Sequence, residues 1–107
     1  MTNYKSGDII LIEYPFSEQT TKKKRPALVL LDSGDEDIVV SRITTKLYST
    51  KYDIEIYDWK DSGLLSKSVI RLHKIATIGK IHVEMKLGSL SKSDFNNIKE
   101  KFRSIYQ

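Results

Sequence analysis

The chain has 107 residues, 39% hydrophobic and 30% charged, with no cysteine, two histidines and a formal net charge of +4 at pH 7. That size and mix predict one globular domain spanning residues 1–107, with a single modest core. They exclude a disulfide framework and a thiolate nucleophile, and no His or carboxylate spacing suggests a metal site.

Residues 8–14 (DIILIEY) predict a first strand closed by Pro15, and the polar stretch 17–24 predicts a mobile loop. Residues 27–31 (ALVLL) predict a second strand, with Pro26 at its first position, where a missing N–H costs little. The acidic run 32–37 reads as a solvated turn that sends the chain back as a third strand, 38–45, antiparallel to the second. Residues 52–57 (YDIEIY) alternate apolar and acidic side chains, which predicts a strand with one wet face. A turn at 61–63 leads to residues 69–72 and 74–78, either a strand pair or one bent strand, and a short strand fits around 84–87. Phe95, Ile98, Phe102 and Ile105 then recur at helical spacing, so a terminal amphipathic helix is expected from Ser93 to Tyr106. Ser91 with Asp94 forms its start signal. The class is mostly β, a small barrel or curled sheet with a C-terminal helix.

The chain lacks a signal-peptide core at its N-terminus, and its longest apolar run is too short to span a bilayer, so a soluble, cytoplasmic protein without membrane partners is expected. Its bases cluster at 22–25, 42–51 and 71–74, and together these would make a positive surface suited to a phosphate backbone. Arg25, held by the strand behind it, offers a permanently charged planar fork. Thr44 and Thr45 end the third strand, where a hydroxyl can donate to a phosphate oxygen. Arg71 and His73 are two apart on a strand and should share a face, with Ile70 and Leu72 on the other. A cation beside an imidazole suits proton transfer at a phosphodiester near neutral pH. His82 has no evident partner in the sequence and no assigned role. There is no phosphate-binding Gly-rich loop, no carboxylate pair at metal spacing and no Gly-x-Ser-x-Gly elbow. Attack by an RNA's own 2′-hydroxyl remains open, because it needs only a base, an acid and cationic stabilisation.

The order of motifs resembles the MazF/PemK/Kid family of toxin endoribonucleases from bacterial toxin–antitoxin pairs. The resemblance runs from Gly7-Asp8-Ile9-Ile10-Leu11 through Lys24-Arg25-Pro26-Ala27-Leu28-Val29-Leu30 and Ile43-Thr44-Thr45-Lys46. It continues with Gly63-Leu64-Leu65, Ser68-Val69-Ile70-Arg71-Leu72, Lys74-Ile75-Ala76-Thr77-Ile78 and Lys86-Leu87-Gly88-Ser89-Leu90-Ser91. It implies an SH3-like barrel that forms a homodimer and cuts single-stranded RNA at short sequences without a metal or cofactor. The implied products end in a 2′,3′-cyclic phosphate and a 5′-hydroxyl. The family's catalytic Arg falls on Arg25 and its catalytic Thr on Thr44. The Arg-x-Asp pair of the Kid-like branch falls on Arg71 and His73, so His stands where that branch has Asp. Lys22, Lys23, Lys24, Thr45 and Lys46 are the expected RNA-binding residues. A cognate antitoxin would block the cationic channel, and operator DNA would be contacted only through it. The alternatives are a gyrase poison of the CcdB type and a catalytically silent nucleic-acid-binding barrel. The first needs a C-terminal Trp-Gly-Ile, whereas this chain ends Arg103-Ser104-Ile105-Tyr106-Gln107 and carries one tryptophan, Trp59.

Overall fold

The central strands are apolar on both faces, and both faces must be covered. In the computed structural model, which describes residues 2–14 and 23–106, a helix covers one face and the sheet's own curvature covers the other. The elements are β1 (Asp8–Tyr14), β2 (Lys23–Leu31), β3 (Asp37–Thr44), β4 (Asp53–Ile56), β5 (Ser68–Gly79), a 3₁₀ turn (Lys80–His82), β6 (Val83–Ser89) and α1 (Lys92–Ile105). They form one sheet in the order β4-β5-β3-β2-β1-β6, with every neighbouring pair antiparallel.

Because strand side chains alternate, β1 divides its isoleucines between two cores. Ile9 packs with Leu28, Ile43, Ile56, Ile70 and Leu72 beneath Ile98 of α1. Ile10 and Ile12 pack with Ala27, Val29, Ile38, Val40 and Ile78 on the opposite face. Register breaks between Ile9 and Ile10, Val29 and Leu31, and Ser41 and Arg42 add the local twist that curls the sheet. The connection after β4 then lies against the edge strand β6. A Cβ on Gly63 would lie 2.1 Å from the Leu87 carbonyl oxygen, and one on Gly88 would lie 2.4 Å from that of Ser62. Backbone approaches this close admit only glycine.

Several sequence expectations change in detail. β2 starts at Lys23, so Lys23 and Lys24 lie in the strand and not in the loop, and Pro26 lies inside it. Pro26 is tolerated there because β3 joins β2 only from Ala27 onward, leaving Pro26 paired to β1 alone. Lys24 is tied to Glu84 of β6 at 3.1 Å. Residues 15–22, including Pro15, Lys22 and most of the expected loop, lie outside the described residues. Residues 68–79 form one bent strand, and the turn after it is the 3₁₀ segment.

Two acidic residues expected in solvent are buried. Asp32 accepts the amides of Tyr4 and Gly34 and pairs with Lys80 at 3.0 Å, so the acidic turn is anchored at its first residue. Asp53 is drawn inward by Arg71, as described below. At the helix start the Ser91 hydroxyl accepts the Asp94 amide as expected. The Asp94 carboxylate, 1% exposed, accepts the amides of Tyr57 and Asp58 at 3.1 and 2.8 Å and pins the end of β4 to the helix.

Candidate active site

Directly opposed residues of paired strands share a face, so the register alone locates the site. One row crosses the sheet as Ile10, Ala27, Arg42, Arg71 and Asp53, on the face turned away from α1. Arg25 is two residues from Ala27 on β2, and Thr44 is two residues from Arg42 on β3. Arg25 and Thr44 therefore join that same face, at the end where β2 and β3 separate. Arg25 is half-buried beside Pro26. A cavity of about 250 Å³ lies here, with an apolar floor that includes Ile12, Val40 and Ile78. Arg25, Arg42 and Lys74 line it, one residue from each basic cluster of the sequence.

Arg71 is the most tightly held cation on this face. Its Nε donates to Asp53 Oδ1 at 2.9 Å, its guanidinium lies 3.6 Å from the Tyr48 ring centre, and its side chain is 12% exposed. The second Asp53 oxygen accepts from the Thr50 amide and hydroxyl, at 3.0 and 2.5 Å. Burial pushes the Asp53 pKa up, but the Thr50 and Arg71 bonds outweigh it and hold the carboxyl below its ordinary value. The guanidinium is fixed on one edge and one face, leaving its terminal N–H groups for an anion.

Thr44 Oγ1 accepts the Lys46 amide at 3.2 Å, so its own proton is available to another acceptor. Lys46 lies over Tyr48, 4.9 Å from the ring centre, and Thr45 is exposed just past β3. His73 sits in the stretch of β5 where the register to β3 shifts, since Ser41 faces Ile75 and Arg42 faces Arg71. As alternation predicts, Ile70 and Leu72 both enter the core under the helix. His73 takes a different partner from Arg71. Its ring centre lies 4.8 Å from that of Tyr52, and its Nδ1 is buried with no hydrogen-bond partner. His73 does not line the cavity that holds Arg25. His82 lies in the 3₁₀ turn.

Three groups that shape this face are absent from the sequence-level list: Asp53, Tyr48 and Arg42. Arg42 was visible only as one member of a basic cluster. The pairing of Asp53 with Arg71 depends on the β4–β5 register, which an eleven-residue connection (57–67) sets and no local motif encodes. Among the described residues, no group of three or more His, Cys, Asp or Glu side chains could hold a metal ion. No described helix is long and apolar enough to cross a membrane.

The same architecture occurs in solved structures of low sequence identity. A mycobacterial endoribonuclease aligns with a TM-score of 0.77 at 15% identity, over 99% of this chain and 93% of that one. The Mycobacterium tuberculosis toxin MazF-mt6 aligns with a TM-score of 0.76 at 19% identity, over 92% and 95%. A MazE–MazF structure from Deinococcus radiodurans gives 0.78 at 13% identity, over 99% and 97%. No curated protein sequence matches the chain. A model of one family, described as the PemK-like, MazF-like toxin of type II toxin–antitoxin systems, matches residues 5–106. With the match running through β1, the Arg25 strand, the Thr44 strand end, Arg71 and the terminal helix, this chain belongs to the PemK/MazF-like toxin family of type II toxin–antitoxin systems.

Proposed function

We propose that this toxin is an endoribonuclease that cuts single-stranded RNA, in the cell mRNA, at short specific sequences. The observation that carries this reading is the common sheet face of Arg25, Arg42, Thr44 and Arg71, beside a cavity that Arg25, Arg42 and Lys74 line, one from each basic cluster. The similar structures include a mycobacterial endoribonuclease, which supports the activity, and MazF with MazE, which supports an antitoxin partner.

In the proposed reaction the ribose 2′-oxygen attacks the adjacent phosphorus and the P–O5′ bond breaks. One fragment keeps a 2′,3′-cyclic phosphate, and the departing 5′-oxygen takes up one proton, matching the one lost by the 2′-hydroxyl, to become a 5′-hydroxyl, so the step consumes no water and requires no metal. Arg25 stabilises the charge of the phosphorane, which preorganised donors do best in a partly desolvated site. Thr44 donates its hydroxyl proton to the scissile phosphate and orients it. Arg71 adds fixed positive charge, and His73, through Nε2, takes the 2′-hydroxyl proton. Lys22, Lys23, Lys24, Thr45 and Lys46 hold the flanking backbone. The active form is a homodimer in the cytoplasm, inhibited by an antitoxin on the cationic face, through which alone operator DNA is contacted.

The test incubates the protein with a long single-stranded RNA in EDTA and identifies both new ends. Cuts at a restricted set of sequences, with cyclic phosphate and 5′-hydroxyl ends, are expected. No cutting at high protein concentration, or cutting that EDTA abolishes, contradicts the reading.

A further inference from the structure

Arg42 and Arg71 are directly opposed across β3 and β5, so two guanidinium side chains leave adjacent strands on the same face. Like charges in that position repel. One carboxylate, Asp53, serves the pair, and it is committed to Arg71 on one oxygen and to Thr50 on the other. Among the described residues Arg42 has no carboxylate partner, and it is exposed. The three groups together carry one uncompensated positive charge, which is what a single phosphodiester would neutralise.

We propose that Arg42 and Arg71 form a two-guanidinium subsite for one backbone phosphate of the RNA, next to the phosphate held by Arg25. The inference rests on the RNA reading above and adds Arg42 to it. Asp53 and Tyr48 are the positioning residues. Asp53 takes Nε and Tyr48 takes one guanidinium face, so the terminal N–H pair of Arg71 is aimed while Arg42 closes from the neighbouring strand. Guanidinium groups bind phosphate through paired, charge-assisted hydrogen bonds, and a preset fork loses little freedom in doing so. A phosphodiester is favoured over a partner's carboxylate because the pair lies in a continuous cationic row. Arg25 and Lys74 share the cavity with Arg42, Lys46 borders Tyr48, and Thr44 supplies a neutral donor on the same face.

The test measures binding of a mixed-sequence 2′-O-methylated single-stranded RNA, which keeps every phosphate but offers no attacking hydroxyl, across a range of salt. Each phosphate neutralised on a single strand contributes about 0.7 to the slope of log affinity against log salt. Arg42→Gln is expected to lower the slope by about 0.7, and the Arg42→Gln/Arg71→Gln double variant by about the same amount rather than twice as much. Arg42→Lys should restore part of the affinity. Asp53→Asn adds positive charge to an RNA-binding face, so a purely electrostatic role predicts tighter binding, whereas positioning predicts weaker binding. Arg42 is exposed, so its variant tests the subsite even if Asp53→Asn unfolds. Wild-type binding with an unchanged slope in Arg42→Gln overturns the subsite and leaves the RNA reading standing. A wild-type protein that does not bind the RNA overturns both. Weaker binding of Arg42→Gln to poly-glutamate with RNA binding intact gives the pair to an acidic protein partner and overturns the proposal.

Discussion

Three neighbours determine what Arg71 can do: Asp53 holds its Nε, Tyr48 covers one face, and Arg42 stands opposite on β3. A lysine here would keep the charge but lose the planar group that meets Asp53 at its edge and Tyr48 at its face. His73 illustrates the opposite situation. Its ring packs on Tyr52 and its Nδ1 is sealed without a partner, a burial that costs about 1–3 kcal/mol for the unmet group. If Nε2 is the proton acceptor, His73→Ala should slow single-turnover RNA cleavage by about 100-fold or more with little change in binding. His73→Ala cleaving at the parent rate would remove His73 from the mechanism and leave it a packing residue for Tyr52.

At the scale of elements, the periodic signals held wherever packing repeats them, and failed where one long-range contact decides. The strand pattern of 8–14 and the helical pattern after Ser91 each reflect many side chains buried together, so both are readable locally. The alternation in β4 placed Asp53 and Glu55 in water, yet Asp53 is buried because β5 brings Arg71 against it. β2 is longer than its apolar run because β1 continues to pair with it past Pro26, as far as Lys23. Asp94 is a similar case, since its sequence context marks a helix start while its carboxylate serves the β4 turn. Asp94→Ala should leave two buried amides unpaired and destabilise the protein by about 2–4 kcal/mol in urea unfolding. A loss below about 0.5 kcal/mol would mean that water replaces the carboxylate and that α1 does not depend on this tie.

For the whole molecule, the curl of one sheet does two jobs. It buries the second apolar face, and it sets the start of β2, the end of β3 and the middle of β5 around one cavity, so that three distant basic clusters reach it. The clusters were legible in the sequence, but their convergence depends on strand order and on the register shift at Ser41 and Arg42. The same architecture makes stability sensitive to acid. Asp8 and Asp53 are pushed up by burial but held below their ordinary pKa by their hydrogen bonds and cationic partners, and Asp32 is lowered chiefly by the Tyr4 amide. A carboxylate with a depressed folded pKa contributes fully above its unfolded value, about 3.9, and loses that contribution as pH falls through the folded value. Unfolding free energy should therefore be insensitive to these groups above about pH 5 and fall below about pH 4. Asp53→Asn should make that acid decline shallower, and an unchanged slope would show that the Arg71 pair carries no such linkage.

The central claim is that Arg25 is the catalyst of a face assembled for RNA. It is tested most directly by comparing single-turnover cleavage of one long single-stranded RNA, in EDTA, by the wild-type protein and by Arg25→Ala. The account predicts a rate lower by about 100- to 1,000-fold, the usual loss when one preorganised donor to a developing charge is removed, with the fold and its melting temperature retained. Cleavage by Arg25→Ala at the wild-type rate, at the same sites and with the same ends, would contradict it.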